Sequence, residues 1–109
     1  PLCGSRIQAD VITDAAGCIS QIALRANACA LGQASAAILQ YNAIGLDISE
    51  IADLRDGIAS ALKRVGAMPT RWPDLALLAA ACDHPSRHAA ILLPYDAILA
   101  AAKTRNVQT

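Results

Sequence analysis

Two cysteines carry most of the chemistry this sequence offers. Cys29 stands where an alternating apolar run gives way to an alanine-rich helical one, and Cys3 opens the run before it. A cysteine at or just before a helix N-terminus meets unpaired backbone N–H groups and the positive end of the helix dipole. Both favour the thiolate, the form that binds metals and attacks sulfur. Cys18, beside a turn, and Cys82, in an apolar segment, read as small buried hydrophobes. The two histidines, His84 and His88, stand close together. No base is spaced to a nucleophile in a pattern that marks an enzyme.

The elements that must position these residues follow from periodicity. Ile7, Ala9 and Val11 alternate with Arg6, Gln8 and Asp10, which predicts a half-buried strand over about 5–13. Asp14-Ala15-Ala16-Gly17 supplies a turn, and Ile22, Leu24 and Ala26 alternate with Gln21, Ala23 and Arg25 in a second strand over about 19–27. The antiparallel hairpin brings Cys3 and Cys29 to one end of the sheet. A helix over about 30–44 is rich in Ala, Leu and Gln, with Gly45 as its stop. Asp47 and Glu50 form a capping box for an amphipathic helix over about 48–64, ended by Gly66. Pro73 begins a short apolar helix over about 73–82. A last helix covers about 86–103, bent at Pro94 because proline donates no backbone bond. The class is α+β, an antiparallel sheet followed by helices on one face, in one domain over 1–109.

Composition excludes several functions. Nine basic and nine acidic residues give zero net charge, with no electrostatic footprint for nucleic acid or an anionic membrane. The longest wholly apolar run, residues 75–82, is far short of the ~20 residues a membrane span needs. The expectation is a cytoplasmic protein, because a chain that is 55% hydrophobic folds without disulfide staples and its four cysteines are best kept reduced.

The motifs taken together resemble one family. Pro1-Leu2-Cys3-Gly4, then the hairpin, then Cys29-Ala30-Leu31-Gly32-Gln33-Ala34-Ser35-Ala36 resembles the NifU/IscU-type iron–sulfur cluster assembly scaffolds, including their SufU branch. Those proteins carry a P-x-C-G-D strand start and a C-A-x-S-x-A-S-type helix start. Gly45-Leu46-Asp47-Ile48-Ser49-Glu50-Ile51 is similar to the family's G-K-S-L-E-E-I link. Pro85-Ser86-Arg87 and Ile91-Leu92-Leu93-Pro94-Tyr95-Asp96-Ala97 are similar to its P-x-R-x-x-C-x-L-L-P-W-x-A helix. The resemblance covers nearly the whole chain in one order, and it implies a further helix and strand upstream of Pro1.

The resemblance also implies a site of three cysteines with a nearby aspartate. Carried over by position, Cys3 and Cys29 keep the first two thiols, Ser5 replaces the aspartate and Ala90 replaces the third cysteine. A tetrahedral iron or zinc centre needs more donors than two thiolates. Cys82, His84 and His88 are the remaining candidate ligands. His88 stands two residues before Ala90, roughly 200° around the helix from it. Arg87 is a candidate site-flanking residue. Three readings follow. The first is a scaffold-like protein of iron–sulfur cluster assembly, binding iron or a cluster, with zinc as an alternative, through Cys3 and Cys29. The second is a cluster-free scaffold that binds no metal and acts as an interaction or regulatory partner of a cysteine desulfurase. The third is a sulfur-accepting or redox thiol protein with Cys29 as acceptor. The implied partners are a cysteine desulfurase, iron–sulfur carrier or acceptor proteins, or a second copy in a homodimer.

Overall fold

The computed structural model describes residues 6–105. Strand β1 (Arg6–Thr13) and strand β2 (Ile19–Asn27) form an antiparallel hairpin in which Ile7 faces Ala26, Ala9 faces Leu24 and Val11 faces Ile22. These six apolar residues share the inner face, as their alternation predicts. The turn is closed by Asp14, whose carboxylate accepts from the amides of Ala16 and Cys18, both at 2.9 Å, while Gly17 takes φ +86°.

Helix α1 (Ala30–Asn42) packs across β2, and helix α3 (His88–Arg105) packs across β1. Helix α2 (Ile48–Leu62) lies against α3 and completes the helical layer. The core between the layers holds Leu39, Ile51, Ile58, Leu75, Ile91 and Tyr95, all buried. The link from α1 to α2 is zipped onto the start of β2: Gly45 N–H donates to the Ile19 carbonyl and Ile19 N–H to the Leu46 carbonyl, both at 2.8 Å. The Asp47–Glu50 capping box forms as the sequence predicts, each side chain accepting from the other residue's amide. The Ser49 hydroxyl and the Glu50 amide hold the Asp47 carboxyl below its ordinary range.

Three local expectations are corrected. The short helix over 73–82 is a 3-10 helix, Pro73–Asp83, rather than an α-helix. Its buried positions are Leu75, Leu78 and Ala81, continuing from Trp72 at a spacing of three, the period at which side chains of a 3-10 helix align. A second 3-10 turn, Pro85–Arg87, takes the start expected for the last helix, so α3 begins at His88; Pro94 lies inside it, as expected. Finally, α2 is ended by Arg64 rather than Gly66. Arg64 takes φ +62°, its N–H donates to the Ala61 carbonyl, and the Val65 N–H reaches back to Ser60, which is a Schellman closure. The Arg64 guanidinium pairs with Asp83, both side chains being well exposed.

A left-handed conformation costs a residue with a side chain roughly 1 kcal/mol that glycine avoids. Arg64→Gly should therefore raise stability by about 0.5 kcal/mol after loss of the exposed ion pair, checked as a higher midpoint in urea. A fall would mean that the Asp83 pair outweighs the backbone strain. Tyr95 offers a second test. Its hydroxyl is buried with no hydrogen-bond partner among the described residues, and burial pushes the phenol's pKa up. Removing an unsatisfied buried donor costs nothing in hydrogen bonding. Tyr95→Phe should leave the thermal midpoint unchanged or raise it, and a loss above about 1 kcal/mol would show that the hydroxyl has a partner.

Candidate functional site

The site is built where β2 runs into α1. Cys29 is the N-cap of α1, in extended conformation (φ −66°, ψ 171°), half-buried, and its side chain makes no cap hydrogen bond. Its carbonyl accepts the first helical bond from Gln33 N–H at 2.9 Å, and the Gln33 side-chain amide donates to the Ala28 carbonyl at 3.1 Å. The turn entering the helix is thereby held at two carbonyls. Leu24 N–H, on the outer side of β2, donates to the Gln40 side chain at 2.8 Å, which ties strand and helix together further along.

One turn into α1, the chain comes into close contact with α3. A β-carbon on Gly32 would stand 2.9 Å from the Ala28 β-carbon, 3.3 Å from that of Ala90 and 3.4 Å from the Ala90 carbonyl oxygen. Any side chain here must push these neighbours back, which glycine avoids. Pro94 removes the N–H that would otherwise bond the Ala90 carbonyl, so this segment of α3 turns an unusual backbone edge toward α1. The buried Ser35 hydroxyl donates to the Ile91 carbonyl at 2.7 Å and pins the two helices one turn further in. Ala90, the position matched to the third family cysteine, is therefore buried against the first turn of the helix that Cys29 caps.

The other candidates fall in two groups. His84 and Arg87 are exposed and line a cavity of about 330 Å³ with Ala30 and Leu31, on the 3-10 side of the α1 start. Cys82 and His88 are committed elsewhere. The Cys82 thiol donates to the Ala61 carbonyl at 3.2 Å, and His88 Nε2 donates to the Ala81 carbonyl at 3.0 Å, since a carbonyl can only accept. Cys18, at the hairpin turn, pairs by its backbone with Asp47 in the α1–α2 link, and burial, with Asp14, Asp47 and Glu50 nearby, pushes its thiol pKa up. Cys3 and Ser5 lie outside the described residues. Among the described residues no three His, Cys, Asp or Glu side chains are grouped to hold a metal ion, and no helix is long and apolar enough to cross a membrane.

Gly32 and Ser35 are the residues the sequence reading undervalued. Their signal was the spacing Ala28, Gly32, Ser35, Ala36, a run of small residues along one side of α1.

A cysteine delivered by a hairpin to a helix start, with a long helix crossing the same end, defines the NifU/SufU-like scaffold fold. The structure is similar to that of a nitrogen-fixing NifU-like protein (N-terminal) from Brucella abortus, at 33% identity and TM-score 0.86, over 94% of this chain and 71% of that one. At this identity and coverage the chain belongs to the family of NifU-like N-terminal domains. A hypothetical protein solved at 2.3 Å is similar at 27% identity and TM-score 0.80, over 94% and 76% of the two chains. A putative iron–sulfur cluster assembly scaffold protein for the SUF system from Fervidobacterium islandicum shares the fold, at 19% identity and TM-score 0.73, over 88% and 70%. No protein-family model and no curated protein matches the sequence.

Proposed function

We propose that this chain is a scaffold-like protein of iron–sulfur cluster assembly whose site is incomplete, holding iron or a cluster as cargo through Cys3 and Cys29. The observation that carries the reading is the packing of Ala90 on the first turn of α1, beside the cysteine that caps it. That packing fits a register in which a third thiol is replaced by a methyl group. The donor set does not fit a closed tetrahedral centre, since Ala90 supplies no ligand and Ser5 no carboxylate. Binding is accordingly weak and is completed from outside, by an external thiol, a second copy or a partner protein. His84 lines a cavity with Ala30 and Leu31 at the α1 start, and it is the first candidate for a substitute ligand.

The partner in this reading is a cysteine desulfurase or an iron–sulfur carrier or acceptor, the setting is the cytoplasm, and the protein is not a catalyst. Cys29 is also the natural sulfur acceptor, because a helix start favours the thiolate. A second reading, a cluster-free scaffold that regulates or docks, is favoured by the two donors lost at Ser5 and Ala90. Anaerobic reconstitution with iron and sulfide, followed by iron and acid-labile sulfide analysis, separates the two. The first reading expects substoichiometric iron and sulfide that Cys29→Ser removes. Iron-free wild-type protein would favour the second.

A further inference from the structure

We propose that the outer face of the hairpin next to Cys29 docks an acidic segment of a partner protein through Arg6 and Arg25. This deepens the scaffold reading by giving the chemistry of the partner's surface, and it rests on that reading only for who the partner is. In the strand register Arg6 faces Asn27 and Arg25 faces Gln8, so the two arginines are diagonal neighbours on the exposed face of the sheet. They border a hollow of about 280 Å³ whose floor is the strand pair Ile7 and Ala26, with Gln8 and Asn27 at its sides.

Among the described residues neither arginine is in an ion pair. All nine Asp and Glu residues lie among the described residues. Four of them, Glu50, Asp56, Asp83 and Asp96, are in ion pairs, with Arg55, Arg64 and Arg71. Asp10 shares the face, opposite Ala23 and diagonal to Arg25, yet it neither lines the hollow nor pairs with either arginine. Two like charges on a diagonal repel, and they bring the fold no gain. A carboxylate-bearing segment laid in the hollow relieves that repulsion, with the Gln8 and Asn27 amides as further donors. The hollow reaches Asn27, two residues before Cys29. In a chain of zero net charge, the Arg6 and Arg25 face thus presents positive charge to an approaching partner, which steers encounter toward it.

The test is a titration of the isotope-labelled chain with a short glutamate-rich peptide, read from backbone amide and arginine side-chain NMR shifts. It uses neither iron nor sulfide nor a desulfurase, so it fails independently of the scaffold reading. The expected result is saturable shifts centred on Arg6, Gln8, Arg25 and Asn27. They should weaken about tenfold in the double variant R6E/R25E, in line with two exposed charge pairs, and less in R25Q. They should be unchanged in K103E, about 20 Å along α3 from Ala90. Equal binding by R6E/R25E, or equal shifts from a lysine-rich peptide, would overturn the proposal. Shifts reproduced by inorganic phosphate at the same concentrations would also overturn it, since they would mark a site for free anions.

Discussion

Replacing Ala90 with cysteine should raise the zinc affinity of the chain on the order of a hundredfold. Structural zinc sites with four protein ligands gain roughly 10–16 kcal/mol from binding, or about 3 kcal/mol per ligand. One added thiolate on a site that already has two thiols therefore supplies about that increment, provided it converges with them. The convergence is what the structure makes specific. Ala90 is buried against Gly32, one turn after Cys29, and the close approach of α1 and α3 at that point leaves the residue little freedom to face elsewhere. Ala89 is exposed and stands about 100° around α3. Ala89→Cys is thus the matched control, adding a thiol that points away. Competition against a chromophoric chelator measures both. A gain for Ala90→Cys and none for Ala89→Cys fits the account. Equal gains would mean that any added thiol recruits zinc, and no gain would mean that the last helix is out of register.

Gly32→Val should destabilise the domain by about 2 kcal/mol, a fall in Tm of roughly 10 °C for a domain of this size. The reason lies in two helices at once. A β-carbon at this position already meets the Ala28 β-carbon at 2.9 Å and the Ala90 β-carbon at 3.3 Å, and neither is the end of a flexible side chain. Two further methyl groups force α1 and α3 apart, and the Ser35 to Ile91 hydrogen bond then stretches with them. Gly32→Ala is the instructive contrast. Its steric cost is opposed by the gain of about 1 kcal/mol that alanine brings to a helix interior, so its Tm should lie close to the wild-type value. A valine variant as stable as wild type would show that the helices do not touch there, and the geometry argued for Ala90 would fall with it.

Much of this fold was legible before any coordinates because its signals are local. The alternation of Ile7, Ala9 and Val11 against Ile22, Leu24 and Ala26 fixes the hairpin register, and Asp47 with Glu50 fixes the start of α2. The same alternation puts Arg6, Gln8 and Arg25 together on the solvent face, although their joint meaning needed the register. The sequence reading erred where tertiary packing chose between two local options. Trp72, Leu75, Leu78 and Ala81 repeat every three residues, a pattern compatible with an α-helix until a continuous core contact selects the tighter winding. Gly66 is the glycine a sequence offers as the stop for α2, but the backbone closes two residues earlier, with Arg64 in the left-handed position and the Val65 N–H on the Ser60 carbonyl.

The site shows the same division. Cys29 at a helix start follows from composition, and the structure places it as the N-cap. The commitment of Cys82 to Ala61 and of His88 to Ala81 does not follow from composition, because both depend on how the 3-10 segment lies against α2 and α3. Gly32 and Ser35 carry little meaning in sequence, since a small residue in an alanine-rich helix becomes informative only when the partner helix is known. Ala90 had meaning only through its aligned position in a resembled motif. The structure adds its packing against α1.

The most direct test of an incomplete two-thiolate site is a cobalt(II) titration under anaerobic conditions, read from the sulfur-to-cobalt charge-transfer absorption, whose intensity per bound metal counts thiolate ligands. The account predicts the intensity of two thiolates in the wild-type chain, of one in Cys3→Ser or Cys29→Ser, and of three in Ala90→Cys. A wild-type band that survives Cys29→Ser undiminished, or that is equally strong without Cys3, would contradict it.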